Sequence, residues 1–193
     1  MAVAKNSKKN VSAAKGVAGG YFYFASAGTT GATAPTDYTS EIPDAFSNLG
    51  YANDEGVTST PSYSSTDHTD MNGEVVDTSQ DGYSLKLEVT LTEYKAATLK
   101  VEYGAANVTD ENGKLTVVNK GVEGERGILV LELVLKNGRK LRRVYPDAKC
   151  VELGEETMVA KEVFARKATF AIYKDDESGA YNFDYAESTE TSA

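Results

Sequence analysis

The sequence is poor in the residue types that carry most enzyme and metal chemistry. Its 193 residues include one cysteine, one histidine and no tryptophan. The lone cysteine, Cys150, excludes a disulfide framework within the chain and fits a protein made in a reducing cytoplasm. The chain has no apolar run of about 18 residues, which excludes a membrane-spanning helix of ordinary length. With 40% hydrophobic and 25% charged residues, its composition is that of a globular protein.

The few reactive side chains do not form a recognisable catalytic or metal-binding constellation. His68 lies between Asp67 and Asp70, but no second histidine and no cysteine pair completes a metal site. Cys150 follows Lys149 in a segment that we interpret as a strand, so we interpret it as a packing residue rather than a nucleophile. We therefore expect no enzymatic activity, no metal site and no cofactor.

Basic and acidic residues are distributed unevenly along the chain. The first 15 residues contain four lysines, including Lys5, Lys8 and Lys9, and no acidic residue. Because lysine and glycine interrupt the apolar core that a signal peptide needs, residues 1–19 are predicted to form a flexible basic arm. The rest of the chain has 16 basic and 29 acidic residues, a balance that repels nucleic acid. Residues 20–185 are predicted to form one domain, and the Ser/Thr/Glu-rich residues 186–193 a disordered tail.

The segment from Gly73 to Gly104 has the clearest pattern. Apolar and polar residues alternate from Tyr83 to Leu91, which predicts a strand with one buried and one polar face. The dipeptide Asp81-Gly82 predicts a hairpin turn before this strand. The apolar spacing then becomes helical, which predicts an α-helix over about residues 93–103 with Thr92 as its N-cap and Gly104 as its stop. The polar face of the strand consists of Ser84, Lys86, Glu88 and Thr90.

Other segments predict further β structure. The segment from Ile128 to Leu135 is apolar except at Glu132, so this strand should be buried on both faces or lie at an interface. Residues 64–72 are polar and are predicted to form a long loop of the kind that often binds a partner. The sequence therefore predicts a mainly β fold with one short α-helix. Three more turn pairs predict hairpins: Asn112-Gly113, Asn137-Gly138 and Ser178-Gly179.

A basic cluster departs from the acidic character of the chain. It comprises Arg139, Lys140, Arg142 and Arg143. A single-stranded nucleic-acid patch would need aromatic neighbours or a loop-rich groove, whereas these residues lie on one arm of a predicted hairpin. They are better suited to pairing with carboxylates, either in the same sheet or on another copy of the chain. We favour the second copy.

The order of these features resembles the major tail protein of long, flexible-tailed bacteriophages (siphophages), the subunit of the tail tube. The resemblance covers about residues 20–185 and rests on an ordered set of short motifs. Two departures are the absence of the tryptophan often expected near the Gly73 turn and the lysine-rich N-terminal arm. The motifs are Leu49-Gly50, Asp54-Glu55-Gly56, Gly73-Glu74-Val75-Val76, Leu85 to Glu93, Tyr103-Gly104, Arg126 to Leu135, Gly138-Arg139, Pro146 and Asp175 to Gly179.

The resemblance implies a β-sandwich or barrel-like tail tube fold whose copies join into hexameric rings. Strands of neighbouring subunits would continue one sheet into a closed inner barrel, an architecture shared by type VI secretion tube proteins. The rings would stack into a tube in the virion tail, assembled in the host cytoplasm, with other tail proteins at its ends. Double-stranded DNA would pass through it transiently and without sequence specificity, and no membrane partner is implied.

A different function class remains open on the residues alone. An immunoglobulin-like β-sandwich adhesion module on a virion or cell surface would also have many strands and turns. The chain lacks the Cys…Trp…Cys arrangement of such domains and a clear export signal. We therefore treat the adhesion module as the alternative.

Two sets of residues are predicted to carry the tail tube function. The lumen-facing set is Ser84, Lys86, Glu88 and Thr90, with Glu74 and Glu132 as further candidates. An acidic wall should let DNA slide, because it does not neutralise the phosphates. Segment 58–72 and the N-terminal arm are predicted to contact the next ring. The set predicted to contact other subunits or rings is Lys5, Lys8, Lys9, Tyr63, Asp67, His68, Asp70, Arg139, Arg142 and Arg143.

Overall fold

The secondary structure is mainly β. The computed structural model describes residues 6–8, 11–156 and 158–188. One α-helix, α1 (Ala96–Tyr103), is present in these residues, together with short 3₁₀ turns at Ala105–Asn107 and Lys136–Gly138. The strands are β1 (Lys15–Gly16), β2 (Phe22–Ser26), β3 (Ser47–Asn48), β4 (Ala52–Thr69), β5 (Val75–Leu91), β6 (Val108–Glu111), β7 (Lys114–Val117), β8 (Arg126–Val134), β9 (Lys140–Glu156), β10 (Arg166–Ile172) and β11 (Phe183–Ala186).

Most of the strands belong to one antiparallel sheet. Its order is β3-β2-β8-β9-β10-β5-β4, while β1 pairs with β8 and β11 pairs with β9. Strands β6 and β7 form a separate two-stranded hairpin next to α1. Strand β9 is long enough to pair with β8 and β11 in its first half and with β10 in its second half. No closed barrel forms within the described residues.

The apolar residues that alternate with polar residues along β5 form part of the main core. Leu85, Leu87, Val89 and Leu91 share one face of the strand and are buried. Phe170 of β10 lies opposite Leu87 on the same face. The ring of Phe22 in β2 packs edge-on against that of Phe170, with 6.1 Å between the centroids. The two ends of the sheet therefore fold over one another and enclose a sandwich-like core, as predicted.

Strand β8 is buried on both faces, which confirms the reading of its apolar sequence. Leu129 and Leu131 belong to the main core. Val130, between them, belongs to a second cluster on the other side of the sheet, together with Phe46. The connection between β2 and β3 contributes Ala32, Ala34 and Ile42 to this cluster and so covers the outer face.

The predicted turn at Asp81-Gly82 is wrong. Strand β5 continues through these residues, and Gly82 pairs with Ser64 of β4. The turn lies instead between β4 and β5, where Gly73 has a φ of 85°. The Asp70 carboxylate accepts hydrogen bonds from the backbone N–H groups of Asn72 and Glu74, and these bonds stabilise the turn between β4 and β5. Most of the predicted loop 64–72 is consequently part of β4.

The predicted helix exists and stops at Gly104, but it begins three residues late. Its N-cap is Lys95, which makes no side-chain capping bond. Thr92 is therefore not the cap; its backbone N–H and its hydroxyl both donate to the carbonyl of Tyr51. The carboxylate of Glu93 accepts from the backbone N–H of the same tyrosine at 3.1 Å. Pairing with the start of β4 holds these residues in an extended form.

The remaining turn predictions have mixed outcomes. Asn112-Gly113 joins β6 to β7, and Asn112 has a positive φ of 53°, so this hairpin is confirmed. The turn at Asn137-Gly138 joins the paired strands β8 and β9 and is also confirmed. A turn forms at Ser178-Gly179, but the strands beside it do not pair with each other. Strand β11 pairs with β9 instead.

The two faces of β5 should respond differently to truncation. Replacing Leu87, which is 0% exposed, by alanine should lower the free energy of unfolding by about 2–5 kcal/mol, because a cavity remains in the core. Replacing the adjacent exposed Lys86 by alanine should change it by no more than about 0.5 kcal/mol. Urea unfolding of dilute protein measures both values. Similar losses for the two variants would contradict the assigned faces.

Candidate assembly surfaces

The paired strands β4 and β5 extend beyond the core as an exposed two-stranded ribbon. We define the ribbon as residues 62–84, from the cross-strand pair Ser62 and Ser84 to the turn. Nearly all of its residues are exposed, and Met71 at the turn is fully exposed. A two-stranded hairpin is marginally stable in water, so this one needs stabilising contacts other than a core. Nothing in the alternation of the ribbon sequence indicates a buried face.

Polar side chains across the two strands supply those contacts. The hydroxyl of Thr78 donates to the carboxylate of Asp67 at 2.7 Å. The Nε2 atom of His68 lies 3.0 Å from the hydroxyl of Ser79, and Thr66 donates to Asp81. Four of the predicted contact residues lie in the ribbon and have structural partners there: Tyr63, Asp67, His68 and Asp70. Their contact with another subunit stays a prediction.

Tyrosine side chains fix the base of the ribbon. The rings of Tyr63 and Tyr83, which are cross-strand partners, lie 4.9 Å apart between centroids. Tyr83 also meets Tyr181 edge-on at 4.6 Å. Burial raises the pKa of the Tyr83 phenol. Tyr63 remains 66% exposed, so one face of the cluster is open to solvent at the point where the ribbon leaves the domain.

The polar face of β5 lies where the sequence predicted it, on the side away from the core. Ser84 and Lys86 are exposed, and Glu88 and Thr90 are half-buried. The neighbouring strand contributes Lys167, whose ammonium lies 2.6 Å from the Glu88 carboxylate. Sequence reasoning missed this lysine, although the alternation of Lys167, Thr169 and Ala171 with Ala168, Phe170 and Ile172 could have revealed it.

The two further lumen candidates lie elsewhere. Glu74 lies at the turn of the ribbon, and its backbone N–H donates to Asp70. Glu132 of β8 lies on the other half of the sheet and forms a salt bridge with Arg142, whose side chain is 4% exposed. The structure therefore does not bring these two carboxylates together with the polar face of β5. Whether any of the six lines a lumen stays a prediction.

Arg142 connects the sheet to the segment that covers it. Its Nε donates to the Glu132 carboxylate at 2.9 Å. Its terminal nitrogens donate to the carbonyls of Asp37 and Ser40 at 2.8 and 2.7 Å. The Asp37 carboxylate accepts from the N–H groups of Ser40 and Thr39, which hold its pKa well below the usual range and order the same segment. Arg142 thus fixes residues 37–40 over the second core cluster.

The other arginines of the basic cluster also have partners within the chain. The Nε and one terminal nitrogen of Arg143 donate to the two oxygens of the Asp184 carboxylate of β11, each at 2.6 Å. Arg139 is half-buried and donates to the carbonyl of Glu187 at 3.5 Å. The carboxylates found for Arg142 and Arg143 come from the same sheet, the alternative that we did not favour from the sequence. Contact with a second copy stays a prediction for all three arginines.

The structure describes some of the N-terminal lysines but not all of them. Lys8 is exposed, whereas Lys5 and Lys9 lie outside the described residues. Lys15 is held in β1 opposite Val134. The hydroxyl of Ser12 accepts a hydrogen bond from the backbone N–H of Lys136. Residues 12–16 therefore run beside the end of β8, and residues 14–16 also line one cavity with residues 52–57 of β4.

A buried ion pair that the sequence did not reveal attaches α1 to the sheet. The Nε of Arg166 lies 2.7 Å from a carboxylate oxygen of Glu102, and both side chains are essentially unexposed. Burial raises the pKa of Glu102. The guanidinium of Arg166 also lies 5.1 Å from the ring centroid of Tyr94. Because these residues are distant in sequence, only the three-dimensional pairing brings them together.

Comparison with known proteins assigns the family. The family model described as phage tail tube protein matches residues 3–189. The chain belongs to the phage tail tube protein family. A comparison with curated proteins finds no significant match. Membership in this family supports a structural role in a phage tail tube and suggests a non-enzymatic role. Among the described residues, no helix has the length and apolar character to cross a membrane.

Cys150 should be unreactive in this tail tube protein. Its side chain is buried in the main core, and burial raises the pKa of the thiol to about 12. At pH 8 about one thiol in ten thousand is then ionised. A thiol-reactive chromogenic disulfide should react with less than a tenth of the native protein in an hour and with one thiol per chain in guanidinium. Rapid modification of the native protein would contradict the placement of Cys150.

Proposed function

We propose that the chain is the building block of the tail tube of a long, flexible-tailed phage. Six copies form a ring, rings stack into a tube, and viral DNA passes through the tube into the host. The observation that carries this proposal is a sheet in which β5 and β10 have one buried and one polar face and in which β4 is an edge with no further strand among the described residues. A head-to-tail contact at such an edge gives a closed ring when the rotation between copies closes.

The polar face of β5 and β10 is the proposed wall of the lumen. A protein surface that binds DNA tightly does so by neutralising phosphates with lysine and arginine and releasing counterions. On this face Glu88 pairs with Lys167, and the neighbouring side chains include the hydroxyls of Ser84 and Thr90. Lys86, on the same face of β5, is exposed and takes part in none of the ion pairs found among the described residues. One such lysine per copy neutralises few phosphates, so DNA can move past this face without being held.

The ribbon and the N-terminal arm are the proposed contacts between rings. The ribbon projects from the domain and exposes Met71, Val75 and Val76 near its turn. Apolar side chains exposed on a projecting element are typical of a protein interface. Other tail proteins at the tube ends complete the assembly, which takes place in the host cytoplasm before the tail joins the virion. The chain has no catalytic role in this function.

Removing the ribbon should separate ring formation from tube growth. Tyr63 and Tyr83 are cross-strand partners, so replacing residues 64–82 by Asn-Gly should close a two-residue hairpin at this level without disturbing the core. Negative-stain microscopy should then show rings but no tubes, whereas the wild type forms tubes. Circular dichroism and thermal unfolding check that the variant folds. Tubes of normal length from this variant would contradict the role of the ribbon.

The lumen assignment predicts the position of one carboxylate in the assembled tube. A cryo-electron microscopy structure of the tube should place Glu88 and Lys167 on the inner wall, with the β5 face that carries Leu87 buried within each subunit. A helical reconstruction that resolves side chains is sufficient to decide this. Glu88 on the outer surface of the tube would contradict the assignment but not the ring itself.

A further inference from the structure

The ribbon carries negative charge that has no cationic partner in the described part of the chain. Its residues include five carboxylates and no lysine or arginine: Asp67, Asp70, Glu74, Asp77 and Asp81. None of the ion pairs found among the described residues involves a ribbon residue. The recorded side-chain partners of these carboxylates are hydroxyl, amide and backbone N–H groups. A cationic partner would therefore lower the free energy of this surface.

The same ribbon presents a free strand edge. Strand β4 is the last strand in the sheet order and pairs only with β5 among the described residues. Pro61 lies where the core-paired part of β4 ends, and its missing N–H interrupts strand pairing at that point. Beyond it, the edge from Ser62 to Thr69 is about 26 Å long, at roughly 3.3 Å per residue. This edge can accept an extended segment of about eight residues.

The N-terminal arm has the positive charge that would complement the acidic ribbon. Residues 1–11, which precede the contact of Ser12 with Lys136, contain Lys5, Lys8 and Lys9, no acidic residue and no proline that would prevent strand pairing. If extended, about 11 residues span roughly 36 Å, more than the length of the ribbon edge. The arm of the same chain leaves the domain beside the turn after β8, where Ser12 contacts Lys136. That exit lies near the start of β4 of the same chain, because residues 14–16 and 52–57 line one cavity. The described arm residues 6–8 and 11–14 nevertheless do not pair with their own β4, since β4 pairs only with β5 among the described residues, which favours an acceptor on a second copy.

We propose that the ribbon of one copy binds residues 1–11 of a second copy as an added strand along the outer edge of β4. Backbone hydrogen bonds supply the strand pairing, and the arm's lysines lie beside the ribbon's carboxylates. The inference rests on the proposed tube, since it names the partner of the ribbon in that assembly. It also explains why the acidic ribbon and the basic arm occur in the same chain.

A charge exchange tests this contact. The ribbon positions to change are Glu74 and Asp77, because their carboxylates make no hydrogen bond to the opposite strand. The arm variant Lys8→Glu/Lys9→Glu should raise the critical concentration for tube assembly about tenfold, since two weak exposed pairs become repulsive. Combining it with Glu74→Lys/Asp77→Lys should restore assembly to within about threefold of the wild type. Sedimentation of assembled material measures the critical concentration.

A matched control separates a specific contact from a general effect of charge. Lys114→Glu/Lys120→Glu makes the same change of net charge at exposed lysines outside the ribbon and the arm. This control should assemble like the wild type, and Glu74→Lys/Asp77→Lys should not rescue any defect that it has. Absence of rescue in the combined arm and ribbon variant would overturn the proposed pairing. Rescue of the control would equally overturn it, because the effect would then be one of net charge.

Cross-linking between copies tests the partner directly. Since the native Cys150 is buried, Lys8→Cys in one preparation and Ser65→Cys, on the exposed edge strand β4, in another provide single reactive thiols. After mixing and assembly, oxidation should give a disulfide-linked dimer containing one chain of each variant, because an added strand brings the two positions within disulfide reach. Mixing Lys114→Cys with Ser65→Cys is the negative control. Tubes that form without the mixed dimer would overturn this inference and leave the proposed function intact, whereas wild-type protein that never assembles would overturn the proposed function itself.

Discussion

The pairing of β5 between β4 and β10 is the interaction on which the rest of the structure depends. Leu87 lies opposite Phe170 on one side and Ser59 on the other, so one strand fixes the register of both neighbours. A shift of one residue would expose the apolar face of β5 and bury Lys86 and Glu88. The buried face therefore determines which side chains form the polar face. The proposed lumen surface is a consequence of core packing.

The same strand supports the ribbon without giving it a core. Between the turn and Tyr83, β5 pairs only with β4 among the described residues, and hydroxyl–carboxylate pairs such as Thr78 with Asp67 replace apolar contacts. Exposed polar pairs contribute little individually. The ribbon is thus ordered by its anchored base and by its turn at Asp70. A long edge strand of this kind is a liability in a monomer and useful in an assembly.

The sequence predicted those parts of the fold in which local pattern and tertiary environment agree. The alternation in β5, the apolar strand β8 and the glycine stop of α1 were all readable from neighbouring residues. The ribbon was not, because Asp81-Gly82 is a strong local turn signal that the pairing of Gly82 with Ser64 overrides. Paired strands with mostly polar side chains, such as the ribbon, have the amino-acid composition of loops. The Glu102–Arg166 pair and the closure of β11 onto β9 depend on contacts between distant segments, which local periodicity does not encode.

The distribution of charge changes the physical argument for how the tube would conduct DNA. From composition, an acidic wall was expected to repel phosphates. The structure instead places five carboxylates on the projecting ribbon without a cationic partner among the described residues, and it pairs Glu88 with Lys167 on the polar face, where Lys86 forms none of the ion pairs found. A wall of hydroxyls, one internal ion pair and one lysine per copy would avoid both extensive phosphate neutralisation and strong repulsion. The proposal assigns the excess negative charge of the ribbon to contacts between copies, where a lysine-rich segment of the same sequence is its complement.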